Sequence, residues 1–239
     1  MRILPLHAIN AAERSRLCHR FHAEVALAAF PMAAELETAE AWLDRMTQPG
    51  ADNQPILHMH LALDDAAEKP AIAGGLLVEI YPASRCILFT YIAVAPAYRG
   101  QRLAHRLVQA AEQALAAAGY GDCPILAEAE DPARVGAAAH SANLDLGLRL
   151  RILKALGFVR TDFPYVQPAL APEKAPVDWL FLLVLQRSLP GGMLPASRLA
   201  AFLVEFFASL DNHPDNARHL AVMQNWLAKR DTLAFHALA

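Results

Sequence analysis

Apolar residues along this chain recur at two spacings, one typical of strands and the other of helices. Short apolar runs bounded by turn residues predict strands. The expected strands are 1–8, 55–63, 71–81, 85–94, 124–129, 158–168 and 177–186. The second and third are separated by a charged turn and are expected to pair as antiparallel neighbours.

Apolar residues at the 3.6-residue helical period occupy segments between and after these strands. Asn10 is a suitable N-cap for the first helix, and Pro31 ends it. The other expected helices are 33–46, 101–118, 141–155, 196–210 and 215–229. Strands and helices mixed in this order predict an α/β (α+β) fold, in which the last two helices form a C-terminal extension.

The composition predicts a well-buried globular protein. Hydrophobic residues make up 55% of the 239 residues and charged residues 19%, which is enough to form a sizeable core. The net charge is −3 with both signs interspersed, so neither nucleic acid nor a membrane is expected as a partner.

The cysteines and the N-terminus bear on the compartment. Three widely spaced cysteines form no C-x-x-C pair, which is typical of a reducing environment. The N-terminus lacks the pattern of a secretory signal, and no apolar run reaches the ~18 residues of a membrane span. We therefore expect a cytoplasmic protein.

The segment with the most specific chemistry is TYIAVAPAYRGQRLAHRL, residues 90–107. It predicts a strand, a basic loop with a glycine and the start of a long helix. A helix N-terminus presents unpaired N–H groups and the positive end of the helix dipole, which favour a phosphate. Neither a Walker loop nor a three-glycine dinucleotide motif is present. The loop predicts a pyrophosphate-containing cofactor, and the alternative is an ordinary surface turn with solvated arginines.

The order of residues in this loop resembles the central motif of the GNAT superfamily of CoA-dependent N-acyltransferases, V-x-P-x-[YF]-R-G-x-G-x-[AG]. The matching positions are Val94, Pro96, Tyr98, Arg99, Gly100, Arg102 and Ala104. Arg102 stands where the family usually has its second glycine, which is sterically acceptable if the backbone there is already helical. Segment 151–159 also resembles the family's helix end and Gly-Phe turn, with Gly157 as the helix stop.

This resemblance implies a mixed, mostly antiparallel central sheet flanked by helices over residues 1–188, followed by the helical extension 189–239. It implies acetyl-CoA or another acyl-CoA as the cofactor. The pantetheine would lie along the strand before the loop, and the pyrophosphate would bind N–H groups of the loop. The expected cofactor-binding residues are Ile92, Ala93, Val94, Arg99, Gly100, Gln101, Arg102, Leu103 and Ala104.

Acyl transfer to an amine needs a base for the amine proton. Glu128 is the expected general base, because it lies mid-strand among apolar residues, where desolvation raises the pKa of a carboxyl group. Glu130 is a second candidate, although an acid at a strand end is commonly a solvated edge residue or a helix cap. His140, beside Ser141, is either a base or a residue of a helix entrance.

The departing thiolate needs a proton. Many members of the family supply it from a tyrosine four residues before the glycine of the Gly-Phe turn, where this chain has Leu153, which cannot donate. Tyr91 and Tyr165 are therefore further catalytic candidates. For Tyr91 the alternative is packing within the sheet, as for most strand aromatics. For Tyr165 the alternative is a residue that lines the acceptor pocket.

His58 and His60 alternate with apolar residues and so share one face of a strand. Two histidines on one face can contribute to a metal site, but a third ligand at a suitable spacing is absent from the sequence pattern. We expect a solvated strand face and no metal.

Two functions from different classes follow. The first is an N-acyltransferase that moves an acetyl or other acyl group to a small-molecule or peptide amine by direct attack. The second is an inactive CoA-binding or regulatory protein, which Arg102 and Leu153 favour. The first C-terminal helix has an apolar stripe that packs on the core of its own chain, pairs two subunits of a homodimer or covers the acceptor cleft. The stripe consists of Leu199, Phe202, Leu203, Phe206, Phe207 and Leu210.

Overall fold

In the computed structural model the chain forms two compact units. The first comprises Met1–Ile80 and Phe89–Gly121, and the second comprises Tyr81–Leu88 and Asp122–Ala239. The structure describes residues 1–30, 36–50, 54–66, 70–135, 146–170, 174–210 and 214–238.

The strands of the first unit lie in the order β1-β2-β3-β4. Their bounds are β1 (Arg2–Pro5), β2 (Ile56–Asp64), β3 (Ala71–Tyr81) and β4 (Cys86–Val94), of which the last residue of β3 and the first three of β4 belong to the second unit. β2 pairs antiparallel with both β1 and β3. The register places Pro5 opposite His60, so the chain that follows β1 turns beside the middle of β2.

The helices of the first unit are α1 (Ala11–Phe21), α2 (Ala39–Thr47) and α3 (Leu103–Ala117). The side chain of Asn10 accepts a hydrogen bond from the Glu13 N–H at 3.0 Å, so Asn10 caps α1 as the sequence predicts. Thr38 caps α2 in the same way, accepting from the Ala41 N–H at 3.2 Å. α1 continues through the π-helical turn His22–Ala26 to Ala29.

The core of the first unit lies between these helices and the sheet. Phe21 of α1 and Trp42 of α2 are completely buried and lie 6.1 Å apart between ring centroids, packed with Met59 of β2 and Tyr91 of β4. Burying one such side chain contributes roughly 1.5–3 kcal/mol. The aromatic residues of α1 and α2 thereby fix both helices on the strands.

The strands of the second unit lie in the order β5-β7-β6-β8 and pair antiparallel. Their bounds are β5 (Ile125–Glu130), β6 (Phe158–Thr161), β7 (Leu180–Leu185) and β8 (Phe235–His236). The first residues of β4 also belong to this unit, where the Ile87 N–H donates to the Pro124 carbonyl at 3.0 Å. In this strand order β7 lies between β5 and β6, although it follows both in sequence.

The helices of the second unit are α4 (Leu146–Leu156), α5 (Ala196–Ala208) and α6 (Pro214–Leu227). The apolar stripe of α5 is buried in the core of the same unit, together with Leu126 of β5 and Val184 of β7. Within the described chain, the stripe is therefore covered without a second subunit.

The mixed α/β fold with mostly antiparallel strands and flanking helices is confirmed. The expected long strands 158–168 and 177–186 are wrong, because β6 has four residues and β7 has six. Pro164 and Pro168 lack the N–H that a continuing ladder needs, and only a bridge between Gln167 and Val177 remains. The boundary at residue 188 stays a prediction. Across the described part of the chain, no helix is long and apolar enough to cross a membrane.

Candidate active site

The basic loop of the first unit connects β4 to α3. After a 3₁₀ turn at Pro96–Tyr98, Gly100 has φ 75° and Arg102 has φ 57°, both in the left-handed region. The condition under which a non-glycine residue is sterically acceptable at this position, a right-handed helical backbone, is therefore not met at Arg102. α3 begins immediately afterwards at Leu103.

The start of α3 is open to an anion. The structure describes all of residues 99–106. Among them, the N-cap residue Arg102 makes no side-chain capping bond, and the first turn of α3 holds no acidic residue. The N–H groups of the first turn have no intrahelical acceptor in any α-helix. Leu103 is buried and fixes the end of the helix, whereas residues 99–102 are exposed.

Side-chain hydrogen bonds stabilise the loop. The Tyr98 hydroxyl donates to the Asp64 carboxylate at 3.1 Å, which raises the pKa of Tyr98. Arg99 Nε donates to the Val94 carbonyl at 3.2 Å, and Gln101 Nε2 donates to the Ala97 carbonyl at 3.4 Å. These bonds hold the loop in the conformation that presents its backbone.

The strand before the loop approaches β3 closely. A Cβ on Gly74 would lie 2.6 Å from the Ala93 carbonyl oxygen, a distance that real Cβ atoms do not reach. The Ala95 N–H donates to the Ala73 carbonyl at 2.9 Å. Gly74 is therefore required for the position of the Ile92–Ala93–Val94 backbone, where the pantetheine is expected.

Tyr91 lies in the aromatic core of the first unit. Its ring is 5.2 Å from Phe30 and 5.6 Å from Trp42 between centroids, and its side chain is buried. Burial raises the pKa of Tyr91 far above its usual value, and the nearby Glu37 and Glu79 add to the increase. Tyr91 therefore keeps its proton and cannot act as a base.

Beside Tyr91 lies an ion network that the sequence analysis does not identify. Arg45 Nη1 donates to Glu79 Oε1 and Arg45 Nη2 to Glu37 Oε2, both at 2.5 Å, and Trp42 Nε1 donates to Glu37 Oε2 at 3.2 Å. Glu79 is 5% exposed. Its position in the apolar strand β3 was the available signal, because carboxylates are rarely buried without a partner.

Glu128 and Tyr165, two of the predicted catalytic residues, lie together in the second unit. The Tyr165 hydroxyl donates to Glu128 Oε1, and Gln167 Nε2 donates to Glu128 Oε2 at 2.9 Å. Tyr165 is 3% exposed, and burial, followed by the charge of Glu128, raises the pKa of Tyr165 well above its usual value. A half-buried carboxylate thus accepts from two fixed donors, one of which keeps its proton.

The remaining predicted residues of the second unit differ in position. Glu130 forms an ion pair with Arg149 of α4 at 2.6 Å, so its carboxylate is held by a structural partner. Leu153 is a half-buried residue of α4. His140 and Ser141 lie outside the described residues.

A histidine cluster occupies the first unit. His7 stacks on His58 with 3.7 Å between ring centroids and meets His60 edge-on at 5.5 Å. His60 is 2% exposed, so the expectation of a solvated face is wrong. Burial lowers the pKa of His7 to about 3 and that of His60 to about 4, with smaller contributions from neighbouring charges, and also lowers the pKa of His58. His7 lies just after β1, and its spacing from His58 and His60 in the sequence gives no sign that the three residues meet.

The chain is similar to known acetyltransferases. The sequence model of the acetyltransferase (GNAT) family matches residues 16–138. A putative GNAT-family acetyltransferase from Bacteroides thetaiotaomicron is similar in structure, with a TM-score of 0.52, 19% identity and coverage of 77% of this chain and 86% of that chain. At this identity the likeness shows the fold.

Two other solved structures are similar at lower scores. A putative GNAT-family acetyltransferase from Desulfovibrio desulfuricans has a TM-score of 0.49 and 16% identity, covering 77% of this chain and 98% of that chain. The aminoglycoside 6'-N-acetyltransferase from Enterococcus faecium has a TM-score of 0.47 and 14% identity, covering 77% and 95%. No curated protein sequence matches this chain.

Proposed function

Because the chain belongs to the GNAT family of N-acetyltransferases, whose members use acyl-CoA and act on amine acceptors, we propose that it transfers an acetyl or other acyl group to an amine by direct attack. Glu128 is the general base of this proposal. The observation that carries the proposal is the loop of residues 99–104, whose backbone opens an uncapped helix N-terminus.

The loop suits a pyrophosphate for physical reasons. Two left-handed residues, Gly100 and Arg102, lead the chain into α3, whose first N–H groups have no intrahelical acceptor. These groups and the positive end of the helix dipole attract an anion, and the exposed guanidinium groups of Arg99 and Arg102 add two positive charges. In this proposal the backbone of Ile92, Ala93 and Val94 binds the pantetheine.

Glu128 and its partners suit the proton transfers. The acyl-CoA supplies a thioester, at which the amine forms a C–N bond as the C–S bond breaks. Glu128 takes the proton of the amine, directly or through a water molecule. Gln167 and Tyr165 orient the carboxylate. Tyr165 is our first choice as donor to the thiolate, and the proton that Glu128 takes from the amine would then replace the one that Tyr165 gives up. Tyr91 and solvent are the alternatives, because Leu153 has no proton to give.

The cofactor site is tested by calorimetric titration of the protein with acetyl-CoA, accompanied by thermal denaturation. Ligand that binds only the folded state stabilises it by ~2.7 kcal/mol at a hundredfold excess over the dissociation constant. We expect Arg99→Ala and Arg102→Ala to weaken binding, and Arg16→Ala, an exposed arginine of α1, to leave it unchanged. Equal affinity in all four proteins would remove the loop from the cofactor site.

A second function is favoured by Leu153 and by the strained Arg102. In this alternative the chain binds CoA for a regulatory purpose and has lost turnover. Binding of acetyl-CoA without release of free CoA on a broad panel of amines would favour it. Release that depends on an amine would eliminate it.

Acceptor, subunit state and compartment complete the proposal. The acceptor is a small-molecule or peptide amine. A homodimer through the C-terminal helices would need a surface other than the apolar stripe of α5, since that stripe is buried in its own chain. All three cysteines are free and buried, which agrees with a reducing cytoplasm.

A further inference from the structure

Three imidazoles from separate parts of the sequence meet at the junction of β1 and β2. His58 and His60 lie on one face of β2. His7 lies in the 3₁₀ turn Leu6–Ala8 that follows β1, and the pairing of Pro5 with His60 brings this turn beside them. Ligand nitrogens, one from each residue, all lie within 4.8 Å of one another.

Each of these histidines has a buried ring nitrogen without a partner among the described residues. They are His7 Nδ1, His58 Nδ1 and His60 Nε2. A buried polar atom left unsatisfied costs roughly 1–3 kcal/mol, so native proteins normally satisfy such atoms with protein groups, water or an ion. Three unpartnered nitrogens in one cluster, one of them on a residue that is 2% exposed, call for a shared partner.

We propose that His7, His58 and His60 bind a divalent transition metal ion of the Zn²⁺ class. Imidazole is a ligand that suits Zn²⁺, Ni²⁺, Cu²⁺ and Fe²⁺, whereas Mg²⁺ and Ca²⁺ require oxygen ligands, which this group of three lacks. Three protein ligands leave a fourth position of a tetrahedral ion for solvent.

The rings of His7 and His58 are stacked at an interplanar angle of 10° and must turn to bind one ion. Zn–N bonds of about 2.0–2.1 Å place two ligand nitrogens of a tetrahedral site about 3.4 Å apart. The present separations reach 4.8 Å, a difference that side-chain rotation of His7 in its turn and of the half-buried His58 can close. Arg14 acts on His7 with its positive charge, but its guanidinium donates to the Leu6 and Ile9 carbonyls at 3.1 and 2.8 Å.

The bound ion would have a structural role. It would join the turn after β1 to the middle of β2, two segments separated by about fifty residues of sequence. None of the three histidines belongs to the loop or to the Glu128 cluster of the proposed reaction. Metal binding therefore stands or falls independently of acyl transfer, and metal-free protein is expected to retain its affinity for acetyl-CoA.

The test uses the full chain without a polyhistidine tag, freed of metal by a chelator. Zn²⁺ content is measured by mass spectrometry after gel filtration, and Co²⁺ is titrated while its visible absorption bands are recorded. We expect one ion per chain and a rise in melting temperature on adding Zn²⁺. Each of His7→Gln, His58→Gln and His60→Gln should weaken Zn²⁺ binding roughly 100-fold. Loss of a residue that only hydrogen-bonds to a metal ligand already lowers metal affinity 10–100-fold. His236→Gln, an exposed histidine of β8, is the control and should bind normally.

Two outcomes would overturn the proposal. One is far less than one ion per chain in the wild type, which would assign the three nitrogens to buried water. The other is binding by the three variants that equals the wild type, which would place the metal elsewhere. If His60→Gln fails to fold because His60 is buried, the half-buried His7 and His58 still decide the result.

Discussion

Arg102 is held in a conformation that L-residues avoid. Its backbone is left-handed at φ 57° and ψ 23°, at the position where the GNAT motif usually has glycine. For a residue with a Cβ this conformation costs about 1–2 kcal/mol. Its guanidinium is exposed, so the strain is retained at a residue whose charge is directed to solvent or to a ligand.

Replacing Arg102 separates strain from charge. We expect Arg102→Gly to raise the free energy of unfolding by about 0.5–1 kcal/mol, because glycine adopts positive φ without a steric penalty. Arg102→Ala keeps the strain and should leave stability nearly unchanged. Both variants should bind acetyl-CoA more weakly, since both lose the charge. Urea denaturation and calorimetry measure the two quantities, and a less stable glycine variant would refute the strain.

Tyr165 provides a pH-dependent test of the Glu128 cluster. Its folded-state pKa lies well above the usual value of 10, while the unfolded chain has the usual value. The stability it contributes is present below pH 10 and is lost as the pH rises further, because the unfolded state releases its proton first. We expect Tyr165→Phe to reduce the loss of stability above pH 10 and to lower kcat. Chemical denaturation at pH 8 and pH 11 compares the two proteins, and identical pH dependence would count against the assignment.

At the scale of elements, the close approach of β3 and β4 positions the strand that leads into the loop. Gly74 and Gly75 are neighbours on β3 that meet different groups. A Cβ on Gly74 would meet the Ala93 backbone at 2.6 Å, whereas one on Gly75 would meet the Phe21 ring and Leu61 at 2.7 Å. The Gly74 contact affects the strand proposed to bind the pantetheine, and the Gly75 contact affects the core of the first unit.

These two glycines form a matched pair of substitutions. We expect Gly74→Ala and Gly75→Ala each to lower the free energy of unfolding by about 1–3 kcal/mol through overpacking. Only Gly74→Ala should also weaken acetyl-CoA binding, because it displaces the Ala93 backbone. Calorimetry on both variants at a temperature where both are folded measures this difference. Equal loss of acetyl-CoA affinity in the two variants would show that the position of the β4 backbone does not determine binding.

The stripe of α5 is a matter of folding within the chain. Phe202 is completely buried, with its ring 5.0 Å from that of Tyr81 between centroids. Phe202→Ala should cost about 3–5 kcal/mol of stability. Val204 on the same helix is 47% exposed, and Val204→Ala should change stability by no more than about 0.5 kcal/mol. Urea denaturation measures stability, and light scattering measures the molar mass in solution. If the stripe formed a dimer interface, Phe202→Ala would lower this molar mass from that of a dimer to that of a monomer.

The sequence pattern predicts most elements because their signals are local. Asn10 before a helical period and Gly157 after one mark helix ends that the structure confirms, Gly157 with φ 96°. The shortening of β6 follows from Pro164 and Pro168, which are visible in the sequence, whereas the pairing of β8 depends on tertiary contacts that no local pattern contains. The same limit applies to the site. Glu128 and Tyr165 were each selected from local context, but their hydrogen bond and the approach of His7 to β2 arise only when distant segments fold together.

At the scale of the whole molecule, each unit contains some of the groups proposed for catalysis. The loop at residues 99–104, the strand before it and Tyr91 belong to the first unit, and Glu128, Tyr165 and Gln167 belong to the second. The family match, at residues 16–138, covers the loop and Glu128 but not Tyr165. The central claim, which we propose, is that the chain performs N-acyl transfer with Glu128 as the base.

The most direct test is the rate of CoA release from acetyl-CoA over a panel of amines, compared between the wild type and Glu128→Gln. We predict release that depends on the amine in the wild type, and a kcat about 10²–10⁴ lower in the variant, as is typical for loss of a general base. Affinity for acetyl-CoA should be unchanged in the variant. Equal rates in the two proteins, or binding of acetyl-CoA without release for any amine, would contradict the account.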